Sequence, residues 1–245
     1  MRDRGPGSYS NSIEEIQFTV DHTGERFIPG ADSGLMEAEH VQRYVFAGGY
    51  VKGMSVLDIA CGAGYGSSLL FDAGAADVTG VDISAEAIQF AHSHYGRDKI
   101  EFIARNAEQF RNGRYDVIVS FETLEHLEKR QQFLENLRSM MKDRGALIIS
   151  TPNKTITSPM KDPSEIRNVY HKYEYVEKDF IAALQNAGFK TIQKFGQHAY
   201  PRIFKFQPLS RLLRRHWNLD KIETAVVSPM SGNSVPRYFV FVAGI

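Results

Sequence analysis

Short apolar runs rich in β-branched residues recur along the chain. Longer stretches lie between them, and there apolar positions return every three or four residues. The runs SVLDIA (55–60), DVTGVDI (77–83), IEFIAR (100–105), YDVIVS (115–120), GALIIS (145–150), FKTIQKF (189–195) and RYFVFVA (237–243) predict seven strands. Uninterrupted cores such as VIV and LII predict strands buried on both faces, as in a parallel sheet.

Between the strands, SAEAIQFAHSHYG predicts a helix with Ser84 as N-cap and Gly96 as its C′ residue. Residues 127–142 place Phe133, Leu134, Leu137, Met140 and Met141 on one helical face, and VEKDFIAALQNAG repeats the pattern before Gly188. Alternation of this kind implies βαβ units and an α/β, doubly wound, mostly parallel seven-stranded sheet. Residues 1–48 read as an N-terminal arm or cap and 49–245 as one domain. An insertion at about 196–236 precedes the last strand and contains the basic piece SRLLRRHW.

Composition narrows the partners. Lys plus Arg and Asp plus Glu number 29 each, which gives no prior for a general polyanion binder, and no stacking platform accompanies the basic piece. Nucleic acid is therefore not favoured as a partner. Cys61, the single cysteine, suits a reducing compartment and reads as a packing residue. No apolar h-region and no run of roughly 20 apolar residues is present, so the expectation is a cytoplasmic protein without a membrane span.

VLDIACGAGYGSSLL is a strand, a glycine-rich turn and a helix start. Gly62, Gly64 and Gly66 would let the backbone approach a ligand closely, at a helix N-terminus that favours negative charge. Asp82 ends the next strand, where it can accept hydrogen bonds from a ribose diol. A dinucleotide fingerprint would want glycine at position 67, where Ser67 stands, and Asp58 is unexpected in a dinucleotide strand.

LDIACGAGYG and VDIS resemble the first two motifs of class I S-adenosylmethionine-dependent methyltransferases. The resemblance implies that Asp58, Gly62 and Gly64 surround the methionine part of S-adenosylmethionine, with Ala63 and Tyr65 of the same loop as further cofactor-binding residues. It also implies that Asp82 takes the ribose and that Ile83 packs on the adenine. Asn106 and Ala107 would read the adenine edge, and Ser120 and Phe121 would face the sulfonium.

FETLEHLEKR follows the fourth strand, at the sheet edge where ligands bind. Three readings stay open for it. The acids could begin an amphipathic helix, His126 could be a general base, or E-x-x-E-H could be part of a divalent-metal site. FETLEHL resembles the E-x-x-E-H element of metal-dependent O-methyltransferases acting in ubiquinone biosynthesis and on small-RNA 3′ ends. By that resemblance Glu122, Glu125, His126 and His171 would hold Mg²⁺, Mn²⁺ or Zn²⁺, with His126, Glu125 and His171 as the catalytic candidates. HTGERFIPG and EHVQRYVFA resemble the N-terminal segment of bacterial methyltransferases associated with sugar and surface-polysaccharide biosynthesis, which would bring Arg26, Phe27 and Tyr44 near the site. The expected activity is therefore O-methylation of a sugar, nucleotide sugar or glycan. The alternatives are a quinone- or antibiotic-type small-molecule O- or N-methyltransferase, an NAD-dependent oxidoreductase and a non-catalytic cofactor-binding protein. Oligomeric state is not legible.

Overall fold

The computed structural model describes residues 34–159, 165–202 and 224–245. Arg26, Phe27 and the piece SRLLRRHW lie outside these residues. The described elements run α1 (Leu35–Gly48), β1 (Ser55–Ile59), α2 (Tyr65–Asp72), β2 (Asp77–Asp82), α3 (Ala85–Tyr95), β3 (Ile100–Ala104) and β4 (Tyr115–Ser120). They continue with α4 (Arg130–Met140), β5 (Met141–Pro152), α5 (Lys154–Thr157), α6 (Glu177–Asn186), β6 (Thr191–Pro201), β7 (Ser228–Pro229) and β8 (Ser234–Gly244).

One sheet takes the order β3-β2-β1-β4-β5-β8-β6-β7. Strands β1 to β5 pair in parallel, and β8 runs antiparallel between β5 and β6. The doubly wound, mostly parallel sheet expected from the sequence is observed, with the two-residue β7 added at its edge. Its central strands are buried on both faces. Ile118, Leu147 and Ile149 join one core with Phe133, Leu137, Phe180 and Phe241, under α4 and α6. Val117, Val119 and Ile148 join the other with Tyr44, Leu70 and Ile88, under α1, α2 and α3.

Several boundaries differ from the sequence expectation. Helix α4 stops at Met140, and Met141 already pairs with Tyr115 before a bulge resets the register at Val117. Lys142 explains the early strand, since its ammonium lies 2.7 Å from Asp116 on β4. Strands β6 and β8 pair from Thr191–Gly244 to Pro201–Ser234, which narrows the connection between them to residues 202–233. Ser84 caps α3 as expected, accepting from the Ala87 N–H, but Gly96 is extended rather than left-handed. It is needed because a Cβ there would lie 2.3 Å from the His92 carbonyl oxygen. Among the described residues, no helix is long and apolar enough to cross a membrane.

Candidate active site

Parallel strands in a βαβ fold leave their carboxyl ends on one edge, and the loops there form the ligand crevice. After β1 the chain turns through Ala60 (φ 63°), Gly62 (φ 57°) and Gly64 (φ 84°) into α2. A left-handed non-glycine such as Ala60 costs about 1 kcal/mol and persists only when its surroundings hold it. They do so here, because the Cys61 N–H donates to the Val81 carbonyl and the Gly62 N–H donates to Asp82 Oδ2 at 3.0 Å. Asp82 Oδ1 also accepts from the Ser84 N–H, so one carboxylate orders the loop and the following helix start together.

The three loop glycines have different reasons. A Cβ on Gly62 would meet nothing within 4 Å, so its backbone stands open to a ligand. On Gly64 it would strike Ala91 and Phe102, and on Gly66 it would lie 2.0 Å from Tyr44 Cζ. Gly64 and Gly66 therefore make room for protein, contrary to the close ligand approach expected of all three. Tyr44 uses that room to reach Asp58 with its hydroxyl at 3.1 Å, and Ser67 donates to the same carboxyl at 2.7 Å. Burial raises Asp58 to about 7, against the pull of these two hydrogen bonds. Burial likewise pushes the Cys61 thiol up, in keeping with a packing role.

A cavity of about 510 Å³ opens over this loop, lined by Gly62, Tyr65, Asp82, Ile83, Asn106, Ala107 and Phe121, with His40, Tyr44, Glu122 and His126 at one end. Ile83 is 68% exposed, an apolar side chain offered to the cavity from the end of β2. Asn106 Oδ1 is engaged locally by the Glu108 N–H. Asp58, Ala63, Gly64 and Ser120 do not line the cavity; they lie in the buried layer beneath it. The loop and acid residues present fit S-adenosylmethionine. Gly62 leaves open space, Ile83 presents a bare apolar face and Asp82 ends β2 at the crevice.

A second cavity of about 390 Å³ adjoins the first, and His40, Glu122 and His126 line both. The segment after β4 is not a helix start. Glu122 is left-handed (φ 46°), and a short 3₁₀ turn at Leu124–His126 precedes α4. Glu122 is held there by Ser150, which accepts from its N–H and donates to its Oε1 at 2.6 Å, and by Arg43 at 3.3 Å. Glu125, His126 and His171 converge, with one ligand atom from each within 4.8 Å of the others; Glu122 lies outside that cluster.

Glu125 is fully buried. Its Oε2 accepts from Thr151, and its Oε1 has no hydrogen-bond partner among the described residues. Burial, then the charge of Glu122, raises its carboxyl well above the usual range. The Glu125 carbonyl accepts from the Lys172 and Tyr173 N–H groups, which docks the His171 segment on this turn. His126 Nδ1 lies 3.3 Å from the Tyr170 carbonyl, a contact that requires the proton on Nδ1. His171 Nδ1 lies 2.7 Å from Glu174, and its Nε2 lies 3.0 Å from the Asn168 amide. Hydrogen bonds from His171, Thr157 and Ser158 outweigh burial and hold the Glu174 carboxyl below its ordinary value.

Four site residues escaped the sequence reading: Glu39, His40 and Arg43 of α1, and Glu174. The signal was present in EHVQRY, where Glu39–Arg43 and His40–Tyr44 are i, i+4 pairs that share helix faces. Burial, then the charge of Arg43, lowers His40 to about 3, so a neutral imidazole stands between the two cavities.

Residues 51–207 match a family model described as a methyltransferase domain. The chain belongs to that family. A probable S-adenosylmethionine-dependent methyltransferase of Mycolicibacterium smegmatis is 29% identical, over 79% of this chain and 72% of its own length. A ubiquinone biosynthesis O-methyltransferase of Actinobacillus pleuropneumoniae is 32% identical, over 44% of this chain and 50% of its own length. A crystal structure of an S-adenosylmethionine-dependent methyltransferase from Mesorhizobium loti shares the fold, with a TM-score of 0.60 and 16% identity over 86% of this chain and 99% of that one. The enzyme is thus a methyltransferase with a Rossmann-like core.

Proposed function

We propose that this methyltransferase binds S-adenosylmethionine in the larger cavity and methylates a hydroxyl of a sugar, nucleotide sugar or glycan held in the smaller one. The observation that carries the reading is the shared wall. Methyl transfer from a sulfonium is an in-line displacement, so donor and acceptor sites must meet at one aperture. His40, Glu122 and His126 form it. In the cofactor site Gly62 and Tyr65 hold the methionine end, Asp82 accepts the ribose hydroxyls, and Ile83, Asn106 and Ala107 receive the adenine. Phe121 faces the sulfonium. Asp58 acts from the layer below by holding the Tyr44 hydroxyl, and Ser120 ends β4 in the same buried layer. Glutamates, arginines and an asparagine line the smaller cavity and suit an acceptor with several hydroxyls.

The hydroxyl proton leaves toward Glu125, His126 and His171. With Nδ1–H on the Tyr170 carbonyl, His126 Nε2 is the basic nitrogen. A divalent cation would be held by the same three residues once the Asn168 amide releases His171 Nε2, because Glu125 Oε1 is a buried carboxylate oxygen without a hydrogen-bond partner beside two imidazoles. Such a cation, when bound, acts as a Lewis acid on the acceptor oxygen. Glu122, tied to Ser150 and Arg43, would then shape the aperture.

Methyl transfer to a panel of sugars and nucleotide sugars should fall at least tenfold in excess EDTA and return with Mg²⁺, Mn²⁺ or Zn²⁺. Full activity in EDTA would remove the cation and leave His126 as sole base. A small-molecule acceptor of quinone type is the second reading, favoured by the similarity to a ubiquinone biosynthesis O-methyltransferase.

A further inference from the structure

The His171 imidazole is 10% exposed, and three hydrogen bonds around it decide where its proton sits. The Tyr170 N–H is a donor, so the Asn168 atom that it meets at 3.1 Å is the amide oxygen. The atom facing His171 Nε2 at 3.0 Å is then the Asn168 amide nitrogen, which has only protons to offer. Nε2 is therefore the acceptor. On the far side of the ring, Nδ1 lies 2.7 Å from Glu174 Oε1, where a donor is required. A proton on Nε2 would point at the Asn168 amide protons, and a bare Nδ1 at the Glu174 carboxylate. His171 is thus held with its proton on Nδ1 and its lone pair on Nε2. Glu174 is itself fixed. Its side chain is 1% exposed, and Thr157 of α5 donates to its Oε2 at 2.7 Å. The backbone next to it is tied down, because Tyr175 bridges to Asn153 just past β5 and its carbonyl accepts from the Lys154 N–H. Asn168, His171 and Glu174 all line the smaller cavity, and none of them lines the larger one.

We propose that Glu174 is a positioning residue for methyl transfer: it fixes the tautomer and the ring orientation of His171, so that Nε2 is offered to the acceptor. The acceptor hydroxyl, or a cation held against it, then takes the place of the Asn168 amide. This rests on the smaller cavity being the acceptor site. A buried carboxylate on one ring nitrogen makes the opposite nitrogen a better acceptor and ligand. His126 is set in the same sense by the Tyr170 carbonyl. One short segment, residues 168–174, therefore sets the tautomer of both imidazoles.

The test is hydrogen–nitrogen correlation NMR of the full chain with isotope-labelled histidine, at about pH 8.5, above the ordinary imidazole value. Such spectra separate protonated from bare ring nitrogens, and His171→Gln identifies the His171 signals by their loss. His171 should show a protonated Nδ1 and a bare Nε2. Glu174→Ala should mix the two tautomers, and Glu174→Gln, whose amide oxygen still accepts from Nδ1–H, should restore the single one. Thr157→Val removes a hydrogen bond from the same carboxylate without touching His171. It should lower thermal stability, as a purely structural loss does, and leave the tautomer as it was. On the acceptor found in the sugar panel, turnover should fall about tenfold or more in Glu174→Ala and recover in Glu174→Gln, with S-adenosylhomocysteine affinity unchanged. A proton on Nε2 in the unaltered protein, or a single tautomer or full turnover that survives Glu174→Ala, would overturn the proposal. The spectra need neither cofactor nor acceptor. A wrong tautomer therefore strikes this inference alone, whereas failure of the unaltered protein to bind S-adenosylhomocysteine strikes the methyl-transfer reading.

Discussion

Asp58 lies beneath the glycine loop, accepts hydrogen bonds from Tyr44 and Ser67, and is raised by burial from 3.8 to about 7. In the unfolded chain it ionises near pH 4, whereas in the folded chain it keeps its proton until about pH 7. Its contribution to stability is therefore full below pH 4 and is lost as pH rises through 7, a gap worth about 4 kcal/mol to order of magnitude. Asp58→Asn keeps an acceptor for one of the two hydroxyls and removes the titration. Relative to the unaltered protein, this variant should gain stability by about 1–3 kcal/mol between pH 5 and pH 7.5, measured by urea unfolding without cofactor. A pH-independent difference between the two would refute the assignment. At this scale the sequence was legible where a residue answers a local demand. Asp82 at the end of β2, Gly62 in the turn and Ser84 as N-cap could all be read from neighbours in the chain. Arg43 and Glu122 could not, because the groups that hold them come from other elements.

Residues of helix α1 line both cavities, and its Tyr44 ring fills the space where a side chain on Gly66 of α2 would stand. Gly66→Ala places a methyl group 2.0 Å from Tyr44 Cζ, with the rings of Tyr65 and Phe121 edge-on to Tyr44 and little space to yield. The expected cost is about 1–3 kcal/mol in stability, together with weaker binding of S-adenosylhomocysteine as α1 is displaced. Thermal unfolding and calorimetry of this variant test both; an unchanged affinity would separate α1 from the cofactor site. Sequence periodicity found α3, α4 and α6 and the strands between them, because each presents a continuous apolar face. It misplaced the segment after β4. An E-x-x-E-H run reads as one face of a helix, whereas Ser150 and Arg43 draw Glu122 into a left-handed turn. Glu125 and His126 still meet His171, because two backbone hydrogen bonds to the Glu125 carbonyl dock that segment from far along the chain. The strand ends of β6 and β8 were read short, since their outer halves carry mixed polar residues whose pairing is non-local.

Across the whole molecule, a sheet wound on both sides opens one edge, and the two cavities on that edge meet at His40, Glu122 and His126. The topology was legible because strands buried on both faces, separated by amphipathic helices, admit few other arrangements. The larger cavity was legible because a glycine loop and an acid fall at the ends of adjacent strands. The smaller cavity was not, because α1, the Arg167–His171 segment and β8 line it together. Binding of S-adenosylmethionine is the central claim, and calorimetric titration with S-adenosylmethionine, S-adenosylhomocysteine and NAD tests it most directly. The two methionine derivatives should bind at one site per chain, at least tenfold more weakly in Asp82→Ala, and NAD should give no heat. Binding of NAD with no response to either methionine derivative would contradict the account.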